Sequence, residues 1–254
     1  MSNPNYTARH YGERARDYVD SKVHSMGPDL NKLESLVTSN KFGKVLDLGC
    51  GGGHVSYCVA AHVGQVVACD VTQEMLASVK QEAEKRDLKN VTTVQAYAEK
   101  LPFADGEFDA VFCRFTTHHW DDAMAGLREA RRVLKPAGIA VFIDVVAPVS
   151  PLYDTWLQTV ELLRDVSHTR DFSVAEWATL LASAGFVIES TGTHRVRMEF
   201  QTWITRTKTP TERVTAIRSL QKCAPSSVVQ FFDIESDGSF KLDVTTFTVK
   251  VINN

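Results

Sequence analysis

The sequence predicts an α/β protein in which a mainly parallel sheet is covered by helices on both faces. Three observations predict it. Short apolar runs with strand character alternate with stretches whose apolar residues recur at helical spacing, the pattern of strands joined by crossover helices. Ile139 to Val146 is apolar but for Asp144, which suits a central strand buried on both sides. The string Val45-Leu46-Asp47-Leu48-Gly49-Cys50-Gly51-Gly52-Gly53-His54 leaves an apolar strand and places glycine at every second position. Such a segment lets the backbone turn sharply and lie flat against a ligand.

The elements follow in order. Tyr6 to Ser39 reads as helical and precedes the first strand, Lys44 to Leu48. His54 to Val63 is a helix and Gln65 to Cys69 a short apolar strand. Thr72 to Arg86 is a helix that Thr72 can cap, with Met75, Leu76 and Val79 on its buried face. Val91 to Gln95 is a third strand, and Phe108 to Cys113 a fourth, introduced by the turn pair Asp105-Gly106. Asp121 to Leu134 carries Met124, Leu127, Ala130 and Val133 at helical spacing and stops at Pro136-Ala137-Gly138. After the strand Ile139 to Val146, a helix Val174 to Ala184 ends at the capping Gly185. Strands lie near Phe186 to Ser190 and Phe240 to Val251, with a mostly helical stretch, Arg195 to Ile234, between them. The division expected is one domain, 1–254, with a helical lid (6–39), a core (44–193), a helical insertion (195–234) and a last strand (239–251).

Composition narrows the function classes. The 254 residues are 44% hydrophobic, enough for one sizeable core. A net charge of -3 gives no basis for a nucleic-acid or membrane-surface protein. Met1 to Tyr11 is polar, without the apolar centre of a signal peptide, and no apolar run reaches membrane-spanning length. The five cysteines, Cys50, Cys58, Cys69, Cys113 and Cys223, lack C-x-x-C spacing, so zinc is not expected and buried reduced thiols of a cytoplasmic protein are.

The glycine string does not satisfy a dinucleotide fingerprint: counting G-x-G-x-x-G from Gly49 puts His54 at the last position. It satisfies D-x-G-x-G-x-G through Asp47, Gly49, Gly51 and Gly53, with the acid at the carboxyl end of a strand, a site suited to a ligand ammonium group. Asp70 ends the second strand at the distance expected of an acid that reaches a ribose, where one carboxylate accepts from both vicinal hydroxyls. The plainer role for Asp70 is to cap the next helix.

These motifs resemble those of the class I S-adenosylmethionine-dependent methyltransferases. The segment Asp47 to Gly53 is similar to their first motif. Ala96-Tyr97-Ala98-Glu99-Lys100-Leu101-Pro102-Phe103 resembles their G-D-A-E-x-L-P-F loop, with Tyr97 where many relatives carry Asp. Arg131-Arg132-Val133-Leu134-Lys135-Pro136-Ala137-Gly138 is similar to their R-V-L-K-P-G-G turn. The resemblance runs from Tyr11 to about Val146 and lies nearest the ubiquinone and menaquinone C-methyltransferases. It implies a Rossmann-like, seven-stranded, mostly parallel sheet with helical additions forming a lid, and S-adenosylmethionine as cofactor. It also implies that Asp47, Gly49, Cys50 and Gly51 lie under the amino-acid and ribose parts, Asp70 on the ribose, and Val71 and Met75 beside the adenine. Tyr97, Ala98 and Glu99 would lie at the adenine edge, and Tyr11 or Tyr18 of the leading helical region would reach the cofactor carboxylate.

After the fourth strand comes Arg114-Phe115-Thr116-Thr117-His118-His119-Trp120, and the resemblance implies that this segment faces the cofactor's methionine part and the acceptor. Transfer from a sulfonium needs alignment above all, and a base only where the acceptor must lose a proton. His118 or His119 is the acid/base candidate and Arg114 a cofactor or substrate contact. Two adjacent histidines without a third ligand nearby give no metal site. The basic run Arg195, Arg197, Arg206, Lys208, Arg213, Arg218 and Lys222 receives an anionic substrate or forms a solvated helix face.

The expected activity is methyl transfer to a carbon or oxygen of a small-molecule acceptor by a monomer or homodimer. A cofactor-binding sensor or assembly subunit without turnover, and a nicotinamide dehydrogenase, are the alternatives.

Overall fold

The structure, a computed structural model, describes residues 27–251. Tyr11 and Tyr18 lie outside the described residues. Helix α1 (Pro28–Ser39) begins on a proline, whose missing N–H is one that a helix start leaves unused, and it buries Leu30, Leu33 and Val37. Strand β1 (Lys44–Leu48) leads into α2 (His54–Ala60), β2 (Gln65–Asp70), α3 (Gln73–Lys85) and β3 (Val91–Gln95). Then come β4 (Phe108–Arg114), a single 3-10 turn (Thr117–His119), α4 (Ala123–Val133) and β5 (Leu134–Val145). The remainder is α5 (Pro151–Arg164), α6 (Val174–Ser183), β6 (Phe186–Met198), α7 (Phe200–Arg206), α8 (Thr211–Lys222), α9 (Ser226–Phe231) and β7 (Phe240–Val251).

The seven strands form one sheet in the order β3-β2-β1-β4-β5-β7-β6. All neighbours up to β5 are parallel, and β7 pairs antiparallel with both β5 and β6. The sheet is Rossmann-like and mostly parallel, as the sequence predicts. Strand order reverses direction between β1 and β4, so their carboxyl ends open a crevice between the following loops.

Alternation along the central strands feeds two apolar layers. Val45, Phe112, Val141 and Ile143 face α1, α2 and α5, while Leu46, Val111, Ala140 and Phe142 face α4 and α6. Full burial of each large aliphatic or aromatic side chain contributes about 1.5–3 kcal/mol relative to exposure. Phe112, Phe142, Trp177 and Phe247 therefore anchor the middle of the sheet.

The structure corrects several boundaries. Helix α2 ends at Ala60 and α4 runs only over Ala123–Val133. Strand β5 begins at Leu134, which pairs with Phe108 before the register shifts and resumes at Ile139 opposite Ala110. Pro136 has no N–H for the ladder, and Ala137 takes φ +60°, so the chain loops out there. Arg195 to Met198 is strand and not helix, because β6 stays paired with β7 as far as Met198 opposite Phe240. Helix α5, also begun on a proline, has no counterpart among the predicted elements. Of the cysteines, Cys223 is exposed and Cys58 half-buried; all five are free thiols. Among the described residues, no helix is long and apolar enough to cross a membrane.

Candidate active site

Beyond the carboxyl ends of β1, β2 and β4 lies a cavity of about 670 Å³. At one end it is walled by Asp47, Gly49, Cys50, Gly51, Asp70, Val71, Met75, Tyr97, Ala98 and Glu99. Arg114, His118 and His119 line its middle. Every described residue proposed for the site from sequence thus borders one space. Helix α1, whose range falls in the predicted lid, packs with the sheet through Leu33 and Val37 and does not border the cavity.

The turn after β1 depends on its glycines. Gly49 (φ +69°) accepts no side chain: a Cβ would lie 2.4 Å from Thr116 Oγ1. Gly51 (φ +47°) differs, since a Cβ there would meet no atom within 4 Å. Its bare backbone borders open cavity, which is what close approach by a ligand requires. Gly49 and Cys50 donate their N–H groups to the Cys69 carbonyl, tying the turn to β2.

Asp47 is 1% exposed, and its Oδ2 accepts both the N–H and the hydroxyl of Ser56, at 3.0 and 2.6 Å. The acid thereby satisfies the first turn of α2 and leaves Oδ1 for the cavity. Burial outweighs these bonds and pushes its carboxyl up to about 6.

Asp70 Oδ2 accepts the Gly51 N–H and Oδ1 the Thr72 N–H, each at 2.9 Å. Burial raises its carboxyl above the ordinary range, against those backbone bonds. Thr72 is the N-cap of α3 but makes no side-chain cap bond, and Asp70 braces that helix start by accepting the Thr72 N–H while it also borders the cavity. Each carboxylate oxygen accepts more than one donor, so Asp70 keeps acceptor capacity towards the cavity after binding both N–H groups.

The Ala96 to Phe103 loop is fixed from α4. Arg132 donates to the carbonyls of Leu101 and Phe103, and Glu129 accepts the Leu101 N–H. Glu99 Oε1 accepts from the Asp121 and Asp122 N–H groups at 3.1 and 3.4 Å, closing the loop onto the start of α4. Tyr97 is 43% exposed. Arg114 pairs with Asp29 of α1, both buried, and its guanidinium lies over the Phe115 ring. The arginine is therefore first a clamp between β4 and α1, although it also borders the cavity.

His118 Nδ1 lies 2.6 Å from Asp144 Oδ1, at the end of β5. Burial opposes its protonation, but the Asp144 carboxylate prevails and raises it to about 9. His119 Nδ1 faces the carbonyl and hydroxyl of Ser167 at 3.2 Å, and burial pulls it down to about 3. The neighbouring histidines are thus separated in role, one holding a proton and the other neutral. His168 is also pulled down to about 3 by burial, and bonds Gln158.

Asp144, Asp171 and His118 present ligand-type atoms within 4.8 Å of one another. That geometry can admit a divalent cation, a possibility absent from the sequence, where the three residues lie far apart. In the structure the His118 nitrogen Nδ1 is committed to Asp144 as a hydrogen bond. Asp171 is also buried, and burial raises its carboxyl well above the usual range.

The same cavity is also bordered by residues that sequence reasoning missed or left on a helix face. Glu161 and Arg164 come from α5, Ser167, His168 and Asp171 from the loop after it, and Trp203, Arg206 and Arg213 from α7 and α8. The loop docks on the catalytic candidate directly, since Thr169 N–H donates to the His118 carbonyl at 2.8 Å.

A family model described as a methyltransferase domain matches residues 46–142. The uncharacterized protein YafE of Escherichia coli is 46% identical over 170 residues, covering 67% of this chain and 82% of that one. The uncharacterized methyltransferase YcgJ of Bacillus subtilis is 32% identical over 80% of each chain. The crystal structure of YcgJ aligns with a TM-score of 0.84 over 89% of this chain and 99% of that one, at 28% identity. A demethylmenaquinone methyltransferase of Beutenbergia cavernae is 32% identical over 74% of this chain and 82% of its own.

Proposed function

The chain belongs to the class I S-adenosylmethionine-dependent methyltransferases, and from that premise we propose that it methylates a carbon or oxygen atom of a small metabolite. One observation supports the finer reading: Gly51, Asp70 and His118 border the same cavity as Glu161, Arg164 and Trp203. Donor and acceptor can share one space.

The residues present fit the cofactor. The uncluttered backbone at Gly51 gives room for close approach. Asp70 has lone pairs left for vicinal hydroxyls after accepting two N–H groups, and Asp47 Oδ1 suits an amino group. Val71, Met75 and Ala98 offer apolar walls for a flat base, with Tyr97 and Glu99 at the rim. Bound there, the cofactor supplies a methyl group already activated as a sulfonium.

The chain's own contribution is orientation and proton handling. Alignment of donor and acceptor supplies much of the rate in such a displacement. Asp144 holds the His118 ring through Nδ1 and leaves Nε2 as the nitrogen for the acceptor. In its neutral form His118 accepts a proton from a hydroxyl or an acidic C–H as attack proceeds. An amine acceptor needs no such group, which favours oxygen or carbon. The name of the Beutenbergia relative, a methyltransferase of demethylmenaquinone, supports the same choice.

The test incubates the protein with methyl-labelled S-adenosylmethionine and a metabolite extract, then locates the label by NMR. A labelled C-methyl or O-methyl product is expected. Label on nitrogen, or no product from protein that binds S-adenosylhomocysteine, overturns the reading.

A further inference from the structure

The loop joining α5 to α6 carries a buried acid that the rest of the fold does not satisfy. Asp171 is 2% exposed and borders the cavity, and its Oδ2 has no hydrogen-bond partner among the described residues. Its main chain, by contrast, is fixed. Gln158 of α5 accepts the Asp171 N–H at 3.1 Å and donates to the Asp171 carbonyl at 2.8 Å. The residue is held in place while its side-chain oxygen is left bare.

The charges around it are engaged with one another. Asp144 holds His118 Nδ1 at 2.6 Å, and Glu161 pairs with Arg164 at 3.1 Å. His168 Nε2 lies 4.0 Å from Asp171 Oδ2, beyond hydrogen-bond reach, and faces Gln158 Oε1 at 2.9 Å instead. A buried oxygen without a partner is unfavourable, and an unpaired buried charge more so. Burial raises the Asp171 carboxyl well above the usual range, which leaves it an O–H to donate as well as lone pairs to accept. One of its oxygens lies within 4.8 Å of the polar atoms of His118 and Asp144, beside the ring proposed to face the acceptor. The little surface that Asp171 shows suits one small polar atom better than a branched, charged group.

Resting on the proposed reaction, we propose that Asp171 hydrogen-bonds a hydroxyl or carbonyl oxygen of the methyl acceptor and so selects acceptors that carry one. A site whose buried polar group is otherwise unpaired discriminates strongly against an analogue that lacks the matching oxygen. Asp171 is thus assigned to the acceptor, as Asp47 and Asp70 are to the cofactor.

The experiment uses the full chain saturated with S-adenosylhomocysteine in the presence of EDTA, with that binding measured first by calorimetry. A variant that binds S-adenosylhomocysteine is folded. Fluorescence titration then compares naphthol with methylnaphthalene, which has the same rings and no oxygen. The parent is expected to bind naphthol about tenfold tighter. Asp171→Leu should abolish that preference while leaving methylnaphthalene within about twofold, and Asp171→Asn, which keeps an oxygen and gains N–H donors, should retain most of it. Asp171→Ala takes the place of Asp171→Leu if the latter fails the calorimetric check. No preference in the parent, an unchanged preference in Asp171→Leu, or equal loss of both probes in that variant overturns the proposal. Tighter binding of naphthylmethylamine than of naphthol also overturns it, since the partner is then an ammonium group. Any of these with S-adenosylhomocysteine binding intact leaves the carbon or oxygen methylation reading standing, because label transfer decides that reading separately.

Discussion

Asp144 grips His118 twice: its Oδ1 holds the ring nitrogen Nδ1 at 2.6 Å, and its Oδ2 accepts the His118 backbone N–H at 3.3 Å. One carboxylate at the end of β5 thus fixes both the ring and the turn that carries it. His119, one residue on, is packed against Ser167 instead, and burial pulls it down to about 3.

The pair predicts a pH dependence. His118 is raised to about 9, so at neutral pH it is imidazolium, and its capacity to accept a proton grows as pH rises towards 9. Methyl transfer should rise with pH through that range. The sign for stability is opposite: the raised value stabilises the fold fully below about 6.5, and that contribution, up to about 3 kcal/mol, is lost as pH rises through 9. In Asp144→Asn, burial acts without the carboxylate, and the His118 inflection should fall below its ordinary value. Ring nitrogen NMR reads the titration directly; an inflection that stays near 9 in Asp144→Asn would remove Asp144 as its cause.

Chelation separates a hydrogen-bonded pair from a metal centre at the same residues. Because His118 Nδ1 is committed to Asp144, activity should survive dialysis against EDTA and show no stimulation by manganese or magnesium. Activity lost to EDTA and restored by either ion would reassign His118, Asp144 and Asp171 as ligands.

Asp47 predicts a trade between stability and binding. Its carboxyl is raised to about 6, so the folded state suffers a penalty that develops as pH rises through the interval from 3.8 to 6 and persists above it. Asp47→Asn removes the charge and keeps an oxygen for Ser56. Thermal unfolding should show a gain of about 1–3 kcal/mol at pH 8, roughly half of that at pH 5, and little change at about pH 3, below both values. Binding of S-adenosylhomocysteine should weaken, because the amino group loses its counter-charge. A variant less stable than the parent at pH 8 would mean that the Ser56 bonds outweigh the cost of burial.

The half of the site made by consecutive residues was legible in the sequence. Asp47 to Gly51, Asp70, and Ala96 to Glu99 each follow a strand with clear apolar character, and local order alone brings them to the sheet's carboxyl edge. Asp144 was hidden inside a run that reads as buried strand, where an acid carries no periodic signal. Helix α5 and the loop to Asp171 were missed for a different reason. Their packing surface is the shared aromatic cluster of Trp156, Phe232 and Phe240, and two of those partners come from much later in the chain. The basic run showed the converse limit: Arg195 and Arg213 look alike in sequence, and only strand pairing places one on the surface and the other in the cavity.

The two glycines of the turn should fail in different ways. At Gly49 a Cβ would sit 2.4 Å from Thr116 Oγ1 and 2.8 Å from Thr116 Cβ, with φ at +69°. Gly49→Ala should therefore destabilise the fold by more than the roughly 1–2 kcal/mol that left-handed backbone costs a residue with a Cβ. Adding Thr116→Gly should recover the steric part and leave the backbone part. At Gly51 the same atom meets nothing within 4 Å, so Gly51→Val carries only backbone strain, yet its side chain enters the space proposed for the cofactor. Circular dichroism should show Gly51→Val folded, while calorimetry with S-adenosylhomocysteine shows no heat. Retained binding by Gly51→Val would place the cofactor elsewhere in the cavity. Equal loss of stability in both variants would mean that the turn tolerates no Cβ at either position, whatever lies beside it.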